Sequence, residues 1–401
     1  MHTKKIRTSE LTLLALYPFI NLSIGGGLLP LLPIYATQLG ADPSQIGLYM
    51  ALTYVALTVS TLISGRIIDA LSDRRYLAVG VGLGVIPALW WMAVADSMWE
   101  LTVATMLAWF VGGGSLALGF AFAGMAAGPK ERGKVFGVVA AAMGVGSLAG
   151  NLVAGSIADR WGYPTLLMSY AIYAIFLAVT PLFIAVAKPQ QATAAANHAG
   201  ASEPDLPGTG TTTGVSVELY LLALATVLTG SMGFMAILGR SLAMNALHYT
   251  SAEIGLAAAM GSAVAIPLPI WLGNLSDRYA RGNLLAICYG VLGLSLVLLA
   301  VATAQWHFWV VSLLMAISNG TGGIVNALVA DLVPPRLIGT GLSYTNGASW
   351  IGAVIGFLST GYLIETLGIT SAFLSFTILP PLAIFIVLSI GRVRRRRAAT
   401  T

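Results

Sequence analysis

The sequence predicts an all-α membrane protein, with twelve transmembrane helices in two pseudo-symmetric six-helix bundles. Three observations carry this. Of 401 residues, 57% are apolar and 9% charged, with a mean hydropathy of +0.86, whereas a soluble domain carries roughly 25% charged residues. Apolar runs near or above the roughly 20 residues that cross the hydrocarbon recur twelve times. Motifs of the first half return 206 or 208 residues later.

The expected spans are 11–35, 46–66, 76–95, 101–126, 135–157, 165–186, 217–244, 253–273, 284–304, 309–330, 341–363 and 371–390. The first could be a cleaved leader, because Lys4, Lys5 and Arg7 precede it. Its length and Pro18, Pro30 and Pro33 make it a membrane helix instead. Cys288 is the single cysteine, so neither an intramolecular disulfide nor a Cys-based metal site is expected. Basic loops stay in the cytoplasm. With both termini inside, 18 of the 20 Lys and Arg residues are cytoplasmic, the exceptions being Arg160 and Arg240. The net charge of +5 is thereby a topology signal and calls for no nucleic-acid partner.

After the sixth span, residues 188–216 are rich in Ala, Gly, Thr, Gln and Pro, as a linker is. The expected organisation is an N-terminal bundle 1–187, a cytoplasmic linker 188–216, and a C-terminal bundle 217–401 with a basic tail from Arg392 to Arg397. Gln45-Ile46-Gly47-Leu48 returns as Glu253-Ile254-Gly255-Leu256. Gly146, Gly150, Gly155 and Gly162 return as Gly352, Gly356, Gly361 and Gly368.

Between spans 2 and 3 lies a charged hinge running from Gly65 through Asp69 to Arg74 and Arg75. Its second copy runs from Gly273 through Asp277 and Arg278 to Arg281, with glycine and aspartate each 208 residues on. Two six-helix repeats with this hinge resemble the major facilitator superfamily of secondary transporters. Ala70 and Ser72 replace a basic residue and a glycine of that family's motif, and Ala280 replaces the glycine in the second copy. The resemblance implies that Asp69 caps the start of span 11 near Thr340-Gly341, and Asp277 the start of span 5 near Gly133-Lys134, closing the cytoplasmic side in one state. A helix N-terminus favours such a carboxylate, since its amides are unpaired and its dipole is positive there. The simpler alternative is a topogenic basic loop with incidental acids.

Gly137, Gly146, Gly150 and Gly155 in span 5 resemble the glycine pattern of the superfamily's antiporters, with Asn151 where that pattern has proline. Small residues at this spacing let helices pack closely, and span 11 repeats much of it. The resemblance implies export; the packing alone is neutral on direction.

No acid falls at a midplane, and span 4 shows Ala108 and Trp109 where proton-coupled relatives have arginine. Coupling through interfacial Asp331 or Glu253, or none, remains. Arg240 is the one basic residue inside a span, and either meets an anionic group or snorkels to the interface. Asn21, Asn319, Asn326 and Asn346 are amides nearer the midplane; Asn319 and Asn326, seven apart, would share a helical face. With Tyr54, Trp109, Arg240 and Trp350 they form the expected substrate cavity, suited to a neutral, amphipathic or lipophilic solute. Each Asn or Trp can equally serve packing.

The expected function is alternating-access transport of a small molecule, by efflux of an amphipathic or lipophilic solute. The alternatives are an uptake carrier or facilitator for a neutral nutrient such as a sugar, and a non-transporting sensor on the same fold. No Walker loop, His-Glu-x-x-His or Gly-x-Ser-x-Gly turn is present, so an enzyme is not expected. Neither a cofactor nor a metal is expected. The partners expected are the solute and the bilayer, with the chain acting as a monomer in the plasma (inner) membrane.

Overall fold

The computed structural model describes residues 8–70, 73–126, 132–184, 217–334 and 337–400. Side chains at a few positions within these stretches, among them Arg66, Asp69, Asn319 and the basic tail, lie outside the described residues, as does the expected linker 188–216. Every regular element among the described residues is helical. In chain order these are α1 (Thr8–Leu28), α2 (Leu32–Gln38), α3 (Pro43–Ala70), α4 (Arg74–Ala93), α5 (Met98–Ala126) and α6 (Arg132–Phe183). There follow α7 (Val217–Ala246), α8 (Ser251–Ala265), α9 (Leu268–Arg278), α10 (Arg281–Ala300), α11 (Gln305–Asn319), α12 (Gly322–Leu332), α13 (Ile338–Leu367), α14 (Ile369–Phe376) and α15 (Leu379–Thr400).

Among the described residues, ten segments are long and apolar enough to span a bilayer, and α8 with α9, bent by 42°, makes an eleventh. The twelfth lies inside α6. Its 52 residues would measure about 78 Å as one rod, and Gly162 breaks them with φ 80° and ψ 166°. Apolar side chains face outward along the spans: Ile172, Phe183, Ile287 and Phe385 are each more than 60% exposed. Such a surface is covered by lipid.

The repeat read in the sequence reappears in the backbone. Gly368, between α13 and α14, has φ 79° and ψ 164°, matching Gly162. Gly40 (φ 82°) ends α2, and 208 residues later His248 (φ 63°) follows α7 in the same left-handed region. Each allows a return bond across the helix end, from the Ala41 amide to the Ala36 carbonyl (3.1 Å) and from the Tyr249 amide to the Met244 carbonyl (3.0 Å).

Four expected spans are not continuous. The first breaks after Leu28, before Pro30 and Pro33; the eighth breaks around Ile266-Pro267, and the twelfth before Pro380-Pro381. Proline supplies no amide and crowds the preceding turn. The tenth breaks at Gly320-Thr321. Asn319 and Asn326 therefore sit on two helices, α11 and α12, joined through Gly320 and Thr321, which both keep right-handed torsions.

Glycines of α6 and α13 permit backbone contact. A Cβ on Gly146 would meet the Phe19 carbonyl oxygen at 2.3 Å, and one on Gly150 the Ser23 oxygen at 2.0 Å, so α6 lies directly on α1. In the second half Gly352 and Gly356 press α13 onto Val227 and Ser231 of α7 in the same way. Gly155 meets Ser251, and Gly361 meets Pro43, each across the halves. Gly137 departs from the expected packing role, since it lies on an exposed face with nothing within 4 Å of a Cβ.

Candidate functional site

Three adjoining chambers lie between the helices. The first, of about 270 Å³, is largely apolar and brings together Asn21 of α1, Tyr54 of α3, Trp109 of α5 and Trp350 of α13. These four come from separate spans, as the expected cavity requires. The second, of about 230 Å³, is more polar than the first, with Thr226, Thr229, Asn326 and Asn346 among its lining. The third, of about 200 Å³, contains Arg240, Asn151, Ser262 and Ser312. It shares Gly26, Leu29 and Ser147 with the first chamber and Ile237 with the second. Asn319 lies outside this account, because its side chain is not among the described residues.

An aromatic cluster separates the first two chambers. Tyr54 stands 5.0 Å from Phe234, 4.9 Å from Phe357 and 5.9 Å from Trp350, centroid to centroid. The first two are edge contacts, the favoured arrangement for ring quadrupoles. Tyr54 belongs to α3 and its partners to α7 and α13, so the cluster joins the two sides of the cavity. Phe234 and Phe357 carried no signal in the sequence; apolar residues in apolar spans look alike until packing selects them.

Arg240 does not snorkel. It is 5% exposed, and its Nη1 donates to Ser312 Oγ on α11 at 2.7 Å. Asn151 is 3% exposed and its Nδ2 donates to the Ser147 carbonyl (2.8 Å) and to Ser262 Oγ (3.2 Å), reaching from α6 to α8. Its position in the antiporter-like pattern, where proline was expected, was the available signal.

At the end of the bundle that carries the termini, the hinge residues make local contacts. Among the described residues, a Cβ placed on Gly65 or on Gly273 would meet nothing within 4 Å beyond its own helix backbone. Arg74 Nε donates to the Ile68 carbonyl (2.8 Å) and its Nη1 reaches Met125 Sδ. Asp73 caps α4 by accepting from the Arg75 amide (3.1 Å) and pairs with the Arg75 guanidinium (2.9 Å), which holds its carboxyl below the usual range. Arg281 donates to the Ala327 carbonyl (2.9 Å) and pairs with Asp331. Asp277 and Arg278 are exposed, and among the described residues Asp277 makes no hydrogen bond to the start of α6.

Carboxylates meet helix starts at the far end as well, with other acids. Asp159 of α6 accepts from the Ser251 amide (2.8 Å) and the Ala252 amide (2.7 Å) at the start of α8. Glu365 of α13 accepts from the Ser44 amide (3.1 Å) at the start of α3. Tyr163 adds a hydroxyl bond to Ser251 (2.9 Å). The two acids are 206 residues apart and each follows a packing glycine, Gly155 or Gly361, by four positions. That repeated Gly-x-x-x-acid spacing was legible in the sequence. Glu253, a coupling candidate, instead closes a capping box with Thr250. Among the described residues no group of three metal-ligating side chains forms.

Comparison with known proteins fits this geometry. The family model described as Major Facilitator Superfamily matches residues 14–239 and 219–401. Multidrug resistance protein MdtG of Proteus mirabilis is 22% identical over 362 residues, covering 86% of this chain and 87% of that protein. The staphyloferrin B transporter of Staphylococcus aureus is 30% identical over 183 residues, covering 45% of this chain and spanning only 44% of that protein. Among solved structures, a bacterial homologue of the human lysosomal transporter Spinster, in an inward-facing and occupied conformation, superposes with a TM-score of 0.77 at 14% identity, over 97% of this chain and 98% of that one. The nucleoside transporter NupG superposes with a TM-score of 0.76 at 13% identity, over 96% and 99%. With the model matched along nearly the whole chain and the paired helical repeats around a central cavity, this chain is a membrane transporter of the major facilitator superfamily.

Proposed function

We propose that the protein exports an amphipathic or lipophilic solute by alternating access. The observation that carries this reading is the juxtaposition of chambers. An apolar, aromatic chamber on one side of the Tyr54 cluster faces a chamber of Thr and Asn side chains on the other, so an amphipathic molecule satisfies both. The name of the MdtG relative supports export.

In this reading residues 1–187 and 217–401 rock as two bundles about the cavity. The terminus-bearing end faces the cytoplasm, because the basic residues gather there, and the membrane is the plasma (inner) membrane. The contacts of Asp159 and Glu365 then close the outer side. The hinge acids Asp69 and Asp277 act in the opposite state, in which the inner ends of the bundles meet. The protein works as a monomer, since each chain carries a complete cavity.

The polar chamber favours a second reading, uptake of a neutral nutrient, because Asn326, Asn346, Thr226 and Thr229 present the donors and acceptors that a hydroxylated solute needs. Vesicles of opposite orientation separate the two. Concentration of N-phenyl-1-naphthylamine by energised inside-out vesicles, lost in Trp109→Ala, supports export; concentrative uptake by right-side-out vesicles refutes it.

A further inference from the structure

The third chamber has a chemical asymmetry that packing does not explain. Arg240 carries five N–H donors on a guanidinium, which matches a carboxylate bidentately. Among the described residues one is used, toward Ser312 Oγ at 2.7 Å, while Nε meets no partner. Neither ion pair formed among the described residues, Asp73–Arg75 or Asp331–Arg281, involves it. A buried guanidinium inside a membrane span without an anion is costly, and a bound anion relieves that cost.

Across the same chamber, Asn151 has the complementary deficit. Its Nδ2 is committed to the Ser147 carbonyl at 2.8 Å, which fixes the amide orientation, because a carbonyl accepts only from the NH₂. Its Oδ1 is buried and meets no donor among the described residues. The internal repeat sharpens the point. Residues needed for the shared fold recur in both copies, yet the positions corresponding to Arg240 and Asn151 are Leu32 and Phe357. The fold itself is therefore built with apolar residues at these places.

We propose that this chamber is a subsite for the polar end of an organic hydroxy acid, with Arg240 pairing its carboxylate and Asn151 Oδ1 accepting from its hydroxyl, while the apolar remainder extends into the neighbouring aromatic chamber. The proposal rests on the reading of the central cavity as the substrate site. It narrows the solute to an amphipathic α-hydroxycarboxylate class. Arg240 comes from the second half and Asn151 from the first, so the ligand bridges the halves beside the contacts that close the far end.

The test uses the full chain purified in dodecyl maltoside and three eight-carbon probes, 2-hydroxyoctanoate, octanoate and 1,2-octanediol, followed by tryptophan fluorescence and melting temperature. The expected order is 2-hydroxyoctanoate about tenfold tighter than octanoate, from satisfying one buried acceptor, with the uncharged diol weakest. Arg240→Met abolishes the preference for the acids over the diol. Asn151→Ala, which leaves the guanidinium in place, abolishes only the preference for the hydroxyl, and it decides the matter should Arg240→Met fail to fold. Equal binding of all three probes, binding of none, or unchanged preferences in the variants overturns the proposal. N-phenyl-1-naphthylamine separates this failure from that of the cavity reading. If it binds in a Trp109-dependent manner while the acids are not distinguished, only the hydroxy-acid subsite falls; if it too fails to bind, both fall.

Discussion

Removing the two carboxylates at the far end tests the proposal that their contacts hold that side closed. Asp159 makes two bonds of 2.7–2.8 Å to the first amides of α8, and Glu365 makes one of 3.1 Å to the first turn of α3. Losing an N-terminal cap of this kind costs about 1 kcal/mol. Both acids are exposed, so solvent screening argues against a larger figure. Each of Asp159→Ala and Glu365→Ala then shifts the closed-to-open equilibrium about fivefold, and because the sites sit on different helix pairs their effects add to about 2 kcal/mol, or about thirtyfold. Spin labels at Trp161 and Leu247, with Cys288 replaced, report the separation of the halves in pulsed electron resonance. The open population at the far end is expected to rise in each variant and most in the double one, with Asp159→Asn retaining part of the closure through its remaining acceptor. A double variant whose distance distribution matches that of Arg160→Ala, an exposed neighbour, would refute the reasoning.

Other predictions follow from packing and charge. Gly150→Ala places a carbon 2.0 Å from the Ser23 oxygen and forces α1 and α6 apart, costing about 1–3 kcal/mol in a thermal melt, whereas Gly137→Ala meets nothing and gains up to about 1 kcal/mol of helix propensity. Tyr54→Ala removes three aromatic neighbours at once, at about 0.5–1.5 kcal/mol per pair, so N-phenyl-1-naphthylamine should bind about tenfold more weakly or worse by fluorescence titration; unchanged affinity would detach the cluster from the site. The Asp73 carboxyl is held low by Arg75. Its contribution is therefore complete above the usual carboxylate range and fades as pH falls through the lowered value. Asp73→Asn should accordingly lower the melting temperature slightly in the neutral region, where the partly exposed pair is intact, and converge with the parent chain at low pH, flattening the acid limb.

Span count, the doubled architecture and the family were legible because they depend on local composition and on one stretch resembling another. Hydropathy over twenty residues decides membrane insertion wherever the rest of the chain lies. The paired positions Gly162 with Gly368 and Gly40 with His248 show that this repetition extends to single backbone torsions. Breaks were less legible: Pro30 and Pro267 pointed to them, while Gly320 between Asn319 and Asn326 did not stand out among 46 glycines. For the site, residue type selected Asn21, Tyr54, Trp109, Arg240, Asn326, Asn346 and Trp350 as candidates, and all seven line one of the three chambers.

What only the tertiary structure decided was partnership. Arg240 faces Ser312 and Asn151 reaches Ser262 across separations of 72 and 111 residues, and Asp159 caps a helix 92 residues away. Such contacts depend on how helices are rotated and tilted against one another, a property of packed surfaces that no window of sequence contains. Thus the sequence by itself determined a twice-repeated membrane bundle with an unusual intramembrane arginine, and the packing of the two halves determined where they touch and what that arginine confronts.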